Sequence, residues 1–193
     1  MAITYLPVSW KEYHTSSQKL AAALLSTDAR YDEIIAISRG GLTLGHILSD
    51  LLQIPVFTLI IQSYTGLQEQ GEVRITKELQ SSITGKHILV VDDVADSGTT
   101  LVRALAYLDT ADPTSVTTAT LFYKPRSAFT PDYYARKTTD WIIFPYEVVE
   151  MITLVHKKME KEGSSKKDIQ SFLKTLGYTT SQIAFVRKHH LTP

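Results

Sequence analysis

Short, continuously apolar segments that alternate with helix-like segments constrain the fold of this chain more than any other feature. The apolar segments have the length of strands but no alternation of polar and apolar residues, which is typical of parallel strands buried on both faces. They are EIIAIS (33–38), VFTLII (56–61), HILVV (87–91), SVTTATLFY (115–123) and DWIIF (140–144). Helix-like segments such as TLGHILSDLL and TTLVRALAYL lie between them. The sequence therefore predicts an α/β fold with a parallel sheet flanked by helices.

Composition and charge argue against several classes of function. The chain has no cysteine, which excludes disulfides, thiol catalysis and zinc held by cysteine. Its six histidines have no metal-ligand spacing. The 20 basic residues balance the 20 acidic ones, so we expect no nucleic-acid partner and no attraction to an acidic membrane. No apolar run has the length of a membrane span and the N-terminus has no signal-peptide pattern, so we expect a cytoplasmic protein.

Residues 148–193 differ in character from the rest of the chain. They hold eight Lys or Arg against four Asp or Glu, a net charge of +4. Their pattern predicts three helices that stop at Gly163 and Gly177, with Ser164 or Ser165 and Thr180 or Ser181 as the N-caps. We therefore divide the chain into a main domain, 1–147, and a helical C-terminal extension, 148–193. The extension is expected to pack on the core or to form oligomer contacts, and a small interaction module is the alternative.

A polar stretch between the second and third apolar segments is long for a connection inside a compact domain. It runs QSYTGLQEQGEVRITKELQSSITGK, residues 62–86. Loops of this length are often lids or binding loops. Within it, GEVRIT is predicted to form a small hairpin.

The stretch ILVVDDVADSGTTL (88–101) carries the chemistry. Asp92 and Asp93 follow a buried strand at the carboxyl end of a parallel sheet, where ligands bind. The small, hydroxyl-rich turn from Asp96 to Thr100 opens a helix, whose first N–H groups favour phosphate. Two carboxylates beside an anion need a bridge, and sugar hydroxyls or Mg²⁺ supply one. Alternatively, the carboxylates are solvated strand-end residues, and Asp96 or Ser97 is only an N-cap.

These residues resemble a known family. VVDDVADSGTT is similar to the phosphoribosyl pyrophosphate (PRPP) signature of the type I phosphoribosyltransferases, SRGGL (38–42) to their pyrophosphate loop, and QSY (62–64) to the start of their flexible hood loop. The resemblance implies PRPP binding by Arg39, Gly40, Gly41, Ser63, Tyr64, Asp92, Asp93, Val94, Ala95, Asp96, Ser97, Gly98, Thr99 and Thr100. Asp92 and Asp93 would also bind Mg²⁺. Taken singly, SRGG also fits an ordinary left-handed turn, and Tyr64 a surface aromatic.

The base-binding side of the family has a counterpart as well. FYKP (122–125) and DWIIFPYE (140–147) imply that Lys124 reaches the 6-oxo group of a purine, that Trp141 stacks on its ring and that the backbone of Ile142 reads its edge. The alternatives are a lysine whose ammonium reaches out to water and a tryptophan in the core. Ile143 occupies a position that is acidic in some relatives that use xanthine, which leaves the choice of base open.

The resemblance extends from Tyr5 to Glu147 and is closest to the xanthine–guanine and hypoxanthine phosphoribosyltransferases. It implies transfer of the phosphoribosyl group of PRPP to N9 of a 6-oxopurine, with Asp96 as the general base and Lys124 favouring the charge on O6. A homo-oligomer, dimer or tetramer, is expected. The basic tail keeps one alternative open, a regulator that senses PRPP or a nucleotide on the same fold.

Overall fold

The computed structural model describes residues 4–63, 73–77, 79 and 81–191, with only the backbone for 62–63 and 73–77. The chain forms two compact units, His14–Thr139 and Met1–Tyr13 together with Asp140–Pro193. The functional division at residue 147 remains a prediction. The elements in chain order are β1 (Tyr5–Pro7), α1 (Trp10–Leu25), β2 (Glu33–Ser38), α2 (Gly41–Leu52), β3 (Val56–Ser63), β4 (Val73–Lys77), β5 (His87–Ala95), α3 (Thr99–Asp109), β6 (Ser115–Tyr123), β7 (Tyr133–Lys137), β8 (Trp141–Ile143), α4 (Val148–Lys161), α5 (Lys166–Thr175) and α6 (Thr180–His190).

The larger unit contains a six-stranded sheet in the order β4-β3-β2-β5-β6-β7. Every neighbouring pair is parallel except β3–β4. The predicted α/β fold with a parallel sheet is therefore confirmed. Of the segment GEVRIT, in which a small hairpin was expected, residues 73–76 lie in β4, which pairs antiparallel with β3 at the edge of the main sheet. Gly71 and Glu72 lie outside the described residues.

The core of this unit lies between the sheet and its helices. Strand β2 is buried from Glu33 to Ile37, as its continuous apolar pattern predicts. Helix α3 turns Leu101, Ala104 and Leu108 inward, each at most 1% exposed. This spacing of three and four residues forms the apolar stripe of an amphipathic helix. The stripe fixes how α3, and therefore the turn that precedes it, is oriented.

The parallel topology brings three loops to one edge of the sheet. Strands β2, β5 and β6 are neighbours and run in the same direction, so the segments after Ser38, Ala95 and Tyr123 leave the sheet on the same side. The predicted strand HILVV stops too early, since β5 continues through Asp92 and Asp93 to Ala95. The two carboxylates therefore lie inside the strand, near its carboxyl end.

The smaller unit consists of the parallel pair β1–β8 and the three C-terminal helices. The predicted stops are present, with φ of +80° at Gly163 and +90° at Gly177. Ser165 caps α5, as one of the two alternatives expected. The prediction for α6 is wrong by one residue or two, because Thr179 is the N-cap and forms a capping box with Gln182.

A separate hydrophobic cluster holds the smaller unit together. It contains Ile143 of β8 with Ile152 of α4, Leu173 of α5 and Val186 of α6, each at most 4% exposed. The helices of the C-terminal extension are thus held by a core of their own, which includes a strand that precedes the extension. Within the described part of the chain, no helix has the length and apolar character needed to cross a bilayer.

We expect Ile152→Ala to lower the free energy of unfolding by about 2–5 kcal/mol, the usual cost of emptying a fully buried aliphatic site. Ile152 is 0% exposed, whereas Leu154 on the same helix is 49% exposed. Leu154→Ala is therefore the matched control and should cost well under half as much. Urea unfolding of both variants measures the difference. Equal losses would contradict the assignment of this cluster as the core of the smaller unit.

Candidate active site

Loop 38–41 is pressed against the carboxyl end of β5. A Cβ atom added to Gly40 would lie 2.5 Å from Oδ2 of Asp93, and one added to Gly41 would lie 2.3 Å from the carbonyl oxygen of Val91. Gly40 has φ −54° and ψ −49°, so the left-handed turn considered for this loop is absent. The two glycines are needed for close approach and not for backbone freedom. They allow the loop backbone to lie directly against Asp93 and the end of β5.

Asp92 and Asp93 are both buried, each 8% exposed. The interpretation of these residues as solvated strand ends is therefore wrong. The backbone N–H groups of Asp93 and Gly41 donate to the Asp92 carboxylate. Burial, together with the adjacent negative charge of Asp93, raises the pKa of Asp92 well above its ordinary value. Ionisation of both carboxylates is therefore electrostatically costly.

A divalent cation would remove this cost, because hard cations bind carboxylate oxygens and favour their ionised form. Among the described residues, no group of three or more His, Cys, Asp or Glu side chains is arranged to hold a metal ion. Asp92 and Asp93 would thus supply only part of a coordination sphere. Mg²⁺ commonly binds in this way, through one or two carboxylates completed by water and substrate phosphates. The donor set fits magnesium brought together with a phosphate ligand.

The turn after β5 is built around Gly98. Its φ is +79°, and a Cβ atom there would lie 2.5 Å from Oγ of Ser127 and 2.7 Å from the amide nitrogen of Phe129. The N-cap of helix α3 is Gly98, so neither Asp96 nor Ser97 occupies that position, although Oγ of Ser97 accepts a long hydrogen bond from the N–H of Thr99 at 3.4 Å. The first N–H groups of a helix have no acceptor within it. With Ser97 and Thr99 exposed beside them, they suit an anion.

Val94 and Ala95, which the sequence also assigned to PRPP, lie within β5. They are paired in register with Phe122 and Tyr123 of β6. The carbonyl oxygen of Ala95 accepts a hydrogen bond from the backbone of Lys124 at 3.0 Å. These two residues therefore connect the anion turn to the segment that carries the lysine.

Asp96 lies between two cations. Its Oδ2 accepts a hydrogen bond from Nζ of Lys124 at 2.9 Å, and its Oδ1 accepts one from Nε of Arg126 at 2.7 Å and another from the Arg126 terminal nitrogen. Burial alone would raise the pKa of Asp96, but the hydrogen bonds and charges of the two cations outweigh it and lower the pKa. Lys124 is only 6% exposed, so it is not a lysine that reaches out to water.

Arg126 is the residue that the sequence analysis missed. It stands two positions after Lys124 in FYKPRS, and a second cation so close to a predicted site lysine was the available signal. The sequence could not show that this segment folds back against the turn after β5. Ala128 donates to the carbonyl of Ser97 at 2.8 Å, which places the segment after Lys124 against the anion turn.

The remaining predicted residues lie in the smaller unit or outside the residues that the structure describes. Trp141 and Ile142 belong to the smaller unit, where Ile142 is buried and Trp141 is 44% exposed. Trp141 is therefore not a core tryptophan, and it lines an apolar cavity of about 570 Å³ with residues of α4 such as Met151 and Leu154. Ser63 ends β3, but its side chain and all of Tyr64 lie outside the described residues.

Comparison with known proteins gives a consistent result. A family model described as "Phosphoribosyl transferase domain" matches residues 9–150. The chain is 32% identical over 144 residues to a curated xanthine-guanine phosphoribosyltransferase of Idiomarina loihiensis, which covers 73% of this chain and 86% of that protein. The crystal structure of a purine phosphoribosyltransferase from Pyrococcus horikoshii is similar with a TM-score of 0.68 and 29% identity, covering 74% of this chain and 93% of the other. A hypoxanthine phosphoribosyltransferase from Staphylococcus aureus has a TM-score of 0.59 and 26% identity, covering 67% and 74%.

We expect Gly98→Ala to destabilise the protein more than Gly163→Ala. Both glycines have positive φ, +79° and +80°, so a side chain at either position strains the backbone. At Gly163 no atom lies within 4 Å of the added Cβ, whereas at Gly98 three atoms of Ser127, Ala128 and Phe129 do. The close contacts should add about 1–3 kcal/mol, the usual cost of overpacking. Urea unfolding of the two variants tests this, and equal losses would mean that residues 127–129 can move away freely.

Proposed function

Because the chain belongs to the phosphoribosyl transferase domain family, we propose that it transfers the 5-phosphoribosyl group of PRPP to N9 of a 6-oxopurine and releases pyrophosphate, as in purine salvage. The observation that carries the proposal is the meeting of loop 38–41, the Asp92–Asp93 pair and the Asp96–Lys124 pair at one edge of the sheet. The relatives named for activity on xanthine, guanine and hypoxanthine support the choice of substrate class.

PRPP would bind along this edge of the larger unit. Arg39 and the amides of loop 38–41 would hold the pyrophosphate group, and the turn from Asp96 to Thr100 would hold the 5′-phosphate. The carboxylates of Asp92 and Asp93 would accept hydrogen bonds from the ribose hydroxyls. Ser63 and Tyr64 are assigned to the hood loop by the family resemblance alone.

Asp92 and Asp93 would also hold magnesium, directly or through water. Their burial and mutual repulsion support this, because a cation favours the ionised form of both groups. When bound there, Mg²⁺ would neutralise charge on the departing pyrophosphate. The side chain of Arg39 is exposed and carries a permanent positive charge for the same leaving group.

The reaction is a displacement at C1 of the ribose. The C1–O bond breaks with its electron pair going to pyrophosphate, and the lone pair of N9 forms the new bond to C1. A proton on N7 of the purine passes to Oδ2 of Asp96. The side chain of Asp96 is 40% exposed, so the proton can move on to water. Lys124 would donate to O6 and stabilise the charge that develops there.

Trp141 would stack on the purine, and the backbone of Ile142 would read its edge. These two assignments rest on the family resemblance, and the exposed ring of Trp141 supports its availability for stacking. The comparisons give no support to a PRPP-sensing or nucleotide-sensing regulator. Further elements of the proposal are a cytoplasmic location and a homo-oligomeric state.

The selectivity for the base tests the function and the role of Lys124 together. A lysine ammonium has only donors, so it pairs with O6 and not with the 6-amino group of adenine. Adenine should therefore react about 10⁴-fold more slowly than guanine or hypoxanthine, because it leaves a buried donor without an acceptor. Xanthine should be the weakest of the three 6-oxopurines, since Ile143 offers only backbone to its second oxygen.

The measurement is kcat/KM for pyrophosphate release from PRPP and Mg²⁺ with each of the four bases. Lys124→Met keeps the volume and removes the charge, and it should abolish the preference for 6-oxopurines. Lys19→Met, an exposed lysine on α1, is the control and should leave the ranking unchanged. Adenine matching guanine in the unmodified protein would contradict the role of Lys124. Release with none of the bases would contradict the proposed function.

Asp96→Asn should lower kcat by about 10²–10⁴, the usual contribution of a general acid–base group. The affinity for PRPP should change by only a few-fold, because the backbone of the anion turn is retained. Asp109→Asn, at the opposite end of α3, serves as the control. Steady-state kinetics with varied PRPP separates the two effects. A large loss of PRPP affinity with unchanged kcat would show that Asp96 maintains the turn and takes no part in the chemistry.

A further inference from the structure

Lys124 and Arg126 hold different oxygens of the same carboxylate. Lys124 donates to Oδ2 of Asp96, and Arg126 donates to Oδ1 through Nε and a terminal nitrogen. The two cations therefore do not compete for one acceptor. They also differ in exposure, since the Lys124 side chain is 7% exposed and the Arg126 side chain 69%. Removal of Arg126 would thus disturb no core packing.

The backbone around Arg126 is fixed by short hydrogen bonds. The N–H of Ser127 donates to the carbonyl of Lys124 at 2.9 Å, and that of Ala128 donates to the carbonyl of Ser97 at 2.8 Å. Pro125 restricts the backbone between the two cations further. The guanidinium of Arg126 is therefore attached to the same rigid segment that carries Lys124 and contacts the anion turn.

Binding of a 6-oxopurine would change the hydrogen-bond partners of Lys124. An ammonium that turns toward O6 of the base gives up part of its interaction with Asp96. Arg126 has five donors in a rigid fork and, in the proposed reaction, no contact with the base. Its two hydrogen bonds to Oδ1 can persist when Oδ2 is released.

We propose that Arg126 is a positioning residue: it holds Oδ1 of Asp96 and so leaves Oδ2 directed at N7 of the purine when Lys124 engages O6. The inference rests on the proposed function and adds a residue to it. Arg126 has two opposing effects on the reaction. As a neighbouring positive charge it lowers the pKa of Asp96 and makes it a weaker base, but as a fork it fixes the orientation of the carboxylate. Orientation is the larger effect, because small misplacements of a reacting group cost up to about 10²-fold in rate.

The sign of the change in kcat distinguishes these effects. Arg126→Ala should lower kcat by about 10- to 100-fold while the KM for PRPP changes less than about threefold. Arg126→Lys restores the charge without the fork and should give an intermediate kcat. In the Asp96→Asn background, Arg126→Ala should change kcat by less than about twofold, since residues that act as a unit are not additive. Arg30→Ala is the matched control, because Arg30 also donates through Nε to an aspartate, Asp32 at 3.0 Å. Asp32 immediately precedes β2, so it lies at the opposite end of that strand from Ser38.

Titration of the Asp96 carboxyl by carbon NMR provides a readout that needs no turnover. The charged groups that face Asp96 are Lys124 and Arg126, and both lower its pKa in the folded protein. Their pairing thus stabilises the fold above the ordinary pKa of aspartate, and this stabilisation is lost as the pH falls through the lowered value. Arg126→Ala should move the titration to higher pH, and Arg126→Lys should largely restore it. The resonance is assigned by its loss in Asp96→Asn.

An unchanged or raised kcat in Arg126→Ala would overturn the positioning role. An equal loss of kcat in the presence and absence of the Asp96 carboxylate would do the same, because Arg126 would then act elsewhere. An unchanged Asp96 titration would overturn the pairing itself. Failure of the unmodified protein to release pyrophosphate with any purine would instead refute the proposed function, and the NMR titration would still decide whether Arg126 holds Asp96.

Discussion

The burial of two adjacent carboxylates at the end of the central strand is the constraint on which the rest of the site depends. Asp92 and Asp93 are held inside β5 by a neighbouring loop whose glycines allow it to pack against the strand. Such a pair costs free energy in an apolar environment unless a cation or hydrogen-bond donors compensate it. The pair lies at the carboxyl edge of a parallel sheet, which is where ligands of α/β proteins bind. The unfavourable free energy therefore arises at an expected ligand site. In the proposed function, PRPP with magnesium would supply both kinds of compensation, hydroxyl donors and a divalent cation.

Asp96, three positions after Asp93, is a carboxylate in the opposite electrostatic environment. Two cations on the segment after β6 keep it ionised, and its pKa falls where that of Asp92 rises. The difference comes from the environment and not from the residue type, since neighbouring charges and burial act in opposite directions. The segment from Asp92 to Asp96 thus provides a carboxylate pair that a cation would stabilise. It also provides a third carboxylate, whose charge Lys124 and Arg126 already balance. This division of roles is what the proposed chemistry requires, with metal and sugar on one side and the base on the other.

The C-terminal helices are organised around their own cluster of buried residues and not as a loose tail. Ile143, which precedes them, belongs to the same cluster as Leu173 and Val186. The strand that carries Trp141, the proposed base-stacking residue, is therefore part of the unit that these helices build. The extension therefore shares a compact unit with the strand that carries Trp141.

The sequence by itself determined the fold class, most strands and helices, and the family to which the chain belongs. The residues that it assigned to the chemistry remain a prediction. Continuous apolar strands indicate burial on both faces, and the resemblance of VVDDVADSGTT to a known signature indicated the family. Local patterns could not decide where β5 ends, because the burial of Asp92 and Asp93 depends on a loop far away in the chain. They could not identify Arg126, whose role arises from the folding of its segment against the anion turn. Nor could they tell which oxygen of Asp96 each cation holds, since only the tertiary structure brings three charges from two strand ends within hydrogen-bond distance.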